Sequence, residues 1–123
     1  MMHSPGFLKL VNDAKSRVQE IDIDGYRQMR EAGEPHILVD TREDNEWASG
    51  HVKGAVHLSR GIIERDIENQ VPEKDTKLVL YCGGGFRSAL AAENLQRMGY
   101  TNVWSMDGGI RGWREKGYPL TTD

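Results

Sequence analysis

Cys82, the only cysteine of the 123-residue chain, lies where a short apolar run meets a glycine-rich turn. The run at residues 78–81 predicts a buried strand. The segment at residues 87–98, followed by Gly99, predicts a helix. Cys82 is therefore expected on a strand-to-helix turn, which is where open parallel sheets bind their ligands.

The composition of this turn favours a thiolate at Cys82. A helix N-terminus carries partial positive charge and free N–H groups. The glycines at residues 83–85 allow successive N–H groups to converge on an anion. Arg87 adds a full positive charge. An ionised sulfur in this setting is a nucleophile or an acceptor of a transferred group, whereas a structural cysteine is simply a small buried apolar residue.

Length and composition indicate one soluble globular domain. A chain of 123 residues has room for a single core, and 37% hydrophobic with 28% charged residues is the balance of a globular protein. A net charge of -3 with no basic stripe argues against a nucleic-acid partner. One cysteine excludes an internal disulfide and a multi-cysteine metal site. We therefore expect no metal and no cofactor.

The same features bear on location. The first ten residues show no basic region followed by a long apolar run, so no secretory signal is visible. No apolar run approaches the roughly 20 residues that cross a bilayer. A single thiol is typical of a reducing compartment. We expect a cytoplasmic protein with no membrane partner.

Strands and helices alternate along the chain. The expected strands lie at residues 20–23, 36–40, 55–58, 78–81 and 101–106, and the expected helices at residues 7–18, 25–31, 43–49, 62–69 and 87–98, with a short helix within 108–113. Residues 1–6 are expected to form a loose tail, and Asp24 is expected to cap the helix that follows it. The alternation predicts an α/β fold with a mostly parallel sheet and helices on both faces.

Three motifs in this order resemble those of single-domain rhodaneses. They are Val39-Asp40-Thr41-Arg42 with Glu46-Trp47 and residues 50–55, then residues 80–88, then Gly108-Gly109-Ile110 with Trp113. The resemblance covers about residues 20–120 and implies a rhodanese-like fold with five strands. Residues 1–19 are then expected to be an N-terminal tail and an extra helix packed on a rhodanese-like domain of residues 20–123.

The resemblance implies a thiosulfate-type sulfurtransferase. Cys82 would take a sulfane sulfur from a small anionic donor such as thiosulfate and pass it, as a persulfide, to cyanide, a thiol or a protein acceptor. The loop that would bind the sulfur comprises Gly83, Gly84, Gly85, Phe86, Arg87 and Ser88. Asp40 is implied to anchor the site and Arg42 to assist with the anion, although the two could equally pair with each other. Glu46 is interpreted as a capping and packing residue.

The identity of the donor stays open at this point. Gly83 and Gly84 occupy the part of the loop where members that use thiosulfate well often carry a charged residue. Thiosulfate could therefore be a poor substitute for the physiological donor.

Two other functions are compatible with these residues. The chain could be a persulfide carrier or interaction module that serves a protein partner, or it could be a cysteine phosphatase, since those enzymes also place an arginine after a cysteine loop. Tyrosine phosphatases resemble Cys, five residues, Arg, whereas four residues separate Cys82 from Arg87. A shorter loop forms a smaller cradle, which suits one sulfur atom better than a tetrahedral phosphate.

Overall fold

The structure is a computed structural model that describes residues 3–123, in which five strands and six helices alternate. The strands are β1 (Gln19–Ile21), β2 (Ile37–Asp40), β3 (Val56–His57), β4 (Leu78–Tyr81) and β5 (Val103–Met106). The helices are α1 (Pro5–Lys15), α2 (Ile23–Glu31), α3 (Asp44–Ala48), α4 (Ile63–Gln70), α5 (Phe86–Arg97) and α6 (Gly109–Glu115).

The strands form one sheet in the order β1-β5-β4-β2-β3. Every neighbouring pair is parallel, so the predicted α/β fold is confirmed and the sheet is wholly rather than mostly parallel. Parallel pairing places the carboxyl ends of all five strands at one edge. The loops after β2, β4 and β5 therefore meet there, as the sequence predicts.

Helices cover both faces of the sheet, which confirms that part of the prediction. Leu78 and Leu80 of β4 face a core formed with α4 and α5, whereas Val79 and Tyr81 face a second core formed with α2 and α6. All four side chains are fully buried. A strand covered on both faces is apolar throughout, which explains the continuous apolar run that precedes Cys82.

The N-terminal helix α1 packs on the outside of α5. Val11 and Ala14 are its buried residues, and Arg17, which follows the helix, donates a hydrogen bond to Glu93 of α5 at 2.6 Å. The division of the chain into residues 1–19 and a rhodanese-like domain of residues 20–123 stays a prediction.

This helix begins two residues earlier than predicted, at Pro5. Ser4 is its N-cap and accepts the N–H of Phe7 at 3.4 Å, and a proline suits the first helical position because its missing N–H would have no helical partner. The loose tail is thus wrong for residues 4–6, and residues 1–2 lie outside the described residues.

The cap of α2 also differs from the prediction. Asp22, not Asp24, accepts the N–H of Gly25 at 2.6 Å. Ile23, which was assigned to the preceding strand, is instead the first residue of α2, and its side chain is buried in the core. Because the Ile23 side chain packs into the core, α2 begins two residues before the predicted start at residue 25.

None of the helices within residues 3–123 combines the length and the apolar character that a bilayer crossing requires.

Candidate active site at the Cys82 loop

The loop after β4 turns sharply into α5 at Gly85. This residue is the N-cap of α5 and has a φ of +99°, a left-handed conformation that glycine adopts without strain. A Cβ at this position would lie 3.3 Å from the backbone of both Asp107 and Gly108. The turn therefore packs directly on the loop after β5, and α5 begins at Phe86, one residue earlier than predicted.

The sulfur of Cys82 lies at the floor of a cleft and faces three hydrogen-bonding groups. The backbone N–H groups of Gly85 and Ser88 donate to Sγ at 3.1 and 3.4 Å, and the Ser88 hydroxyl oxygen lies 3.5 Å away. The Ser88 hydroxyl is itself 2.8 Å from the hydroxyl of Ser105. Cys82, Ser88 and Ser105 are all buried. N–H groups that converge on a buried sulfur stabilise its anionic form.

The carbonyl groups of the same loop turn the other way, toward the start of α6. The N–H of Ile110 donates to the Cys82 carbonyl at 2.9 Å, and the N–H of Arg111 donates to the Gly83 carbonyl at 3.0 Å. This approach requires glycine at residue 109, since a Cβ there would lie 2.5 Å from the Cys82 carbonyl oxygen. The loop therefore binds α6 through its carbonyl groups, while its N–H groups face the sulfur.

Arg87 lies at the mouth of the cleft and is held by Glu46 of α3. Its Nη1 and Nη2 atoms donate to the two carboxylate oxygens at 3.0 and 3.2 Å. These hydrogen bonds lower the pKa of Glu46 and raise the pKa of Arg87 from their ordinary values. Glu46 also completes a capping box with Glu43, as its interpretation as a capping residue requires. Its pairing with Arg87 is a contact that the sequence does not reveal.

Asp40 and Arg42 form a buried ion pair behind the cleft. The Asp40 carboxylate accepts the backbone N–H of Arg42 at 2.9 Å and its Nη2 at 2.8 Å, and Nη2 also donates to the Gly50 carbonyl at 2.7 Å. Burial opposes the charge of Arg42, but the hydrogen bonds and charge of Asp40 outweigh it and raise the pKa of Arg42. Asp40 and Arg42 therefore pair with each other, and the anchoring role of Asp40 and the anion-binding role of Arg42 stay predictions.

The cleft above Cys82 has a volume of about 570 Å³. Five residues of the Cys82 loop line it, and the other elements contribute His3, Phe7, Glu46 and Arg111. His3, Phe7 and Arg111 line the cleft but are not among the site residues predicted from the sequence. Phe7 falls within the predicted helix at residues 7–18, but no local pattern links that helix to the cleft.

The rhodanese-like domain model matches residues 22–116. The chain belongs to the rhodanese-like domain family. It is 35% identical to a sulfurtransferase of Allochromatium vinosum, over 84% of this chain and 94% of that protein. It is 37% identical to the thiosulfate sulfurtransferase GlpE of Pseudomonas entomophila, over 70% of this chain and 76% of that protein. Rhodanese membership and these relatives support sulfur transfer as the general activity.

Two further similarities widen the comparison. The chain is 30% identical to YrkF of Bacillus subtilis, provisionally named a sulfur carrier protein, and it spans only 54% of that relative's length. A solved structure from Rhodopseudomonas palustris, described as a protein of unknown function and possible tyrosine phosphatase, has a TM-score of 0.84 at 30% identity and covers 98% of each chain. That coverage includes the N-terminal helix, which lies outside the family match.

Proposed function

We propose that this rhodanese-like protein is a sulfurtransferase that carries a sulfane sulfur on Cys82. The observation that supports this most directly is the convergence of two backbone N–H groups and a hydroxyl group on a buried Sγ. Such groups stabilise a thiolate before the reaction and a persulfide after it. The site residues that we propose are Cys82 with the loop from Gly83 to Ser88, supported by Asp40 and Arg42.

The reaction proceeds in two balanced steps. In the first, the Cys82 thiolate attacks the outer sulfur of thiosulfate, a new S–S bond forms, and sulfite leaves with the electron pair of the old S–S bond. In the second, cyanide or a thiolate attacks the outer sulfur of the persulfide, and the Cys82 thiolate is released. Neither step needs a general base, because each nucleophile enters as an anion.

The charges around the cleft fit this chemistry. Arg87 lines the same cleft as Cys82 and attracts an anionic donor, although Glu46 offsets part of its charge. Cys82 is a free thiol, as a persulfide carrier requires. A free thiol agrees with the reducing cytoplasm that we propose as the location of the protein.

Intact-mass measurement after incubation with thiosulfate tests the proposal. The expected result is the gain of one sulfur atom, which cyanide removes as thiocyanate. The Cys82→Ser variant is the control and should gain nothing. Absence of a sulfur adduct with thiosulfate and with an inorganic polysulfide donor would overturn the proposal.

A persulfide carrier is the second candidate, and its support is the similarity to the protein named a sulfur carrier in Bacillus subtilis. A carrier and a general enzyme differ in the acceptor that they serve. Loaded protein would be mixed with small thiols and, separately, with proteins captured from a lysate. Faster sulfur transfer to one captured protein than to millimolar small thiols favours the carrier, and the opposite order favours the enzyme.

A cysteine phosphatase is the third candidate, because the structurally similar Rhodopseudomonas palustris protein is described as a possible tyrosine phosphatase. The four-residue gap between Cys82 and Arg87 opposes it. Hydrolysis of an aryl phosphate decides the matter. Phosphate hydrolysis that is lost in Cys82→Ser would contradict the sulfurtransferase proposal. Sulfur uptake without phosphate hydrolysis would support it.

A further inference from the structure

The cleft above Cys82 is larger than an inorganic sulfur compound requires. Its volume of about 570 Å³ falls among the sites that hold small organic molecules, which span roughly 300–1,000 Å³. Thiosulfate or cyanide would leave most of this space to water. The volume therefore leaves room for a substrate that carries a carbon body on its sulfur.

One side of the cleft is aromatic and consists of His3, Phe7 and Phe86, here called the aromatic wall. The ring centroids lie 4.8 Å apart for His3 and Phe86, 5.2 Å for His3 and Phe7, and 6.1 Å for Phe7 and Phe86. These separations are those of packed aromatic pairs. Both phenylalanine side chains are only half-buried, so the wall presents apolar surface to the cleft.

Lys15 fixes the aromatic wall to the rest of the site. Its Nζ lies 5.1 Å from the centroid of the Phe86 ring and pairs with Glu20 at 3.3 Å and Asp107 at 3.5 Å. Asp107 belongs to the loop on which Gly85 packs. The C-terminal end of α1 thus contacts Phe86 and Asp107, while Phe7 near its other end packs on the same Phe86 ring.

Two arginines, Arg87 and Arg111, also line the cleft. The Arg111 guanidinium lies over the loop, where a Cβ added to Gly84 would be 3.2 Å from its Nη1 atom. Across residues 3–123, Arg87 pairs with Glu46 but the exposed Arg111 side chain has no acidic partner. An unpaired arginine that faces the site of transfer is suited to bind a carboxylate.

We propose that the cleft selects an acceptor thiol that carries both an apolar body and a carboxylate, with the body on the aromatic wall and the carboxylate on Arg111. This inference rests on the proposed sulfur transfer and adds the class of acceptor to it. The acceptor thiolate attacks the outer sulfur of the Cys82 persulfide, an S–S bond forms in the product, and the bond to Sγ breaks with its electron pair on Cys82. The product is the organic persulfide anion.

Four thiols separate the two recognition elements. They are 4-(mercaptomethyl)benzoate, with body and carboxylate, 4-(mercaptomethyl)benzamide, with the body alone, 3-mercaptopropionate, with the carboxylate alone, and 2-mercaptoethanol, with neither. Stopped-flow release of sulfur from loaded protein gives a half-saturating concentration and a maximal rate for each thiol. We expect the benzoate thiol to have the lowest half-saturating concentration, by about fivefold for each element.

The variants should remove one preference each. Phe7→Ala and the exposed His3→Ala should abolish the preference for the aromatic body, and Arg111→Gln should abolish the preference for the carboxylate. Leu10→Ala on α1 and Arg114→Gln on α6 are matched controls on exposed positions outside the cleft and should change neither preference. Each thiol is compared across variants, so its intrinsic reactivity cancels.

Equal effects of a variant on all four thiols would overturn the inference, because the wall would then merely shield the sulfur. Equal half-saturation by the four thiols in the unmodified protein would also overturn it. If no persulfide forms, the proposed function fails by itself, and the cleft is still tested with the unreactive thioether 4-(methylsulfanylmethyl)benzoate. That compound should slow alkylation of Cys82 by iodoacetamide, and should do so less in Arg111→Gln. Absence of protection would contradict the inference.

Discussion

At the scale of single residues, Arg87 is both the cation that an incoming anionic donor meets and the hydrogen-bonding partner of Glu46, whose carboxylate offsets its charge. Its place in the first turn of α5 puts it in the lining of the cleft above Cys82, and Glu46 holds its guanidinium through two hydrogen bonds. The pair is about one-third exposed on each side, so its own contribution to stability is small. Its importance lies in the net charge that an incoming anion meets.

This arrangement predicts opposite effects for the two partners. Arg87→Ala should lower kcat/KM for thiosulfate, because the cation that attracts the donor is lost. Glu46→Gln should raise it several-fold, since the amide removes a negative charge from the cleft but can still accept a hydrogen bond from Arg87. Steady-state sulfur transfer at low and high salt measures both changes. Equal losses in the two variants would show that the pair acts only as a structural support.

Ser88 is the second residue whose role can be tested singly. Its hydroxyl lies between the Cys82 sulfur and the Ser105 hydroxyl, and all three groups are buried. The neutral Cys82 thiol donates to Ser88 Oγ, and in the proposed thiolate the Ser88 hydroxyl becomes the donor. Ser88→Ala would remove this hydrogen bond to a charged group, which is worth about 1.5 kcal/mol, or about tenfold. We expect alkylation by iodoacetamide at neutral pH to slow by that factor. Ser105→Ala, which leaves the Ser88 hydroxyl in place, should slow it less, and an unaffected Ser88→Ala would refute the role.

At the scale of elements, the Cys82 loop is positioned by two helices that follow different strands. The start of α5 directs N–H groups to the sulfur, and the start of α6 binds the carbonyls of Cys82 and Gly83. Gly109 permits this second contact because it combines a φ of +54° with a very close approach to the loop. The geometry of the sulfur site thus depends on α6 as well as on the loop's own sequence.

Gly109→Ala should therefore disrupt both folding and chemistry. A left-handed alanine and a collision with the Cys82 carbonyl together cost about 3 kcal/mol in free energy of unfolding. Gly117→Ala is the matched control, since Gly117 has a φ of +75° but nothing within 4 Å of an added Cβ, and it should cost only about 1 kcal/mol. Urea unfolding measures both values. Among folded molecules, Gly109→Ala alone should lose sulfur uptake, and equal behaviour of the two variants would contradict this account.

At the scale of the whole molecule, the parallel sheet brings together loops that are far apart in sequence. The Asp40–Arg42 pair lies at the carboxyl end of β2, and Cys82 follows β4. The loop after β5 provides the backbone on which Gly85 packs. Packing between helices completes the fold. Glu64 of α4, for example, accepts hydrogen bonds from Asn94 of α5 and from Arg60, each at 2.8 Å.

These contacts predict how stability changes in acid. Burial opposes the charge of Glu64, but Asn94 and Arg60 outweigh it, so its pKa is lowered in the folded protein, as is that of Glu46 through Arg87. The unfolded chain then binds protons first as the pH falls. The stability from both groups is present above the ordinary glutamate pKa of about 4.3 and is lost as the pH falls through the folded values.

Urea unfolding between neutral pH and about pH 3 checks this prediction. The free energy of unfolding should fall with acidification below about pH 4.3, and the fall should be shallower in Glu64→Gln with Glu46→Gln than in the unmodified chain. Gln is the matched substitution because it removes the titration and keeps a hydrogen-bond acceptor. An identical slope in the double variant would show that these carboxylates do not carry the acid dependence.

The sequence by itself determined the α/β class, the strand-to-helix turn at Cys82 and the resemblance to rhodaneses. These depend on neighbours along the chain: an apolar run, a glycine turn and motifs in a fixed order. The structure confirmed the class and placed the predicted loop N–H groups of Gly85 and Ser88 on the sulfur. The smaller errors, at Asp24 and residues 4–6, arose where burial of Ile23 or capping by Ser4 decided the helix start.

Only the tertiary structure decided which side chains surround the sulfur. Glu46 meets Arg87, Ser105 meets Ser88, and Phe7 meets Phe86. Arg111 reaches the cleft because the start of α6 docks on the Cys82 loop. These partners come from separate elements, and no local pattern encodes which side chains meet when helices pack on a sheet. The sequence therefore specifies the reactive group, while packing specifies the charge and shape that a substrate meets.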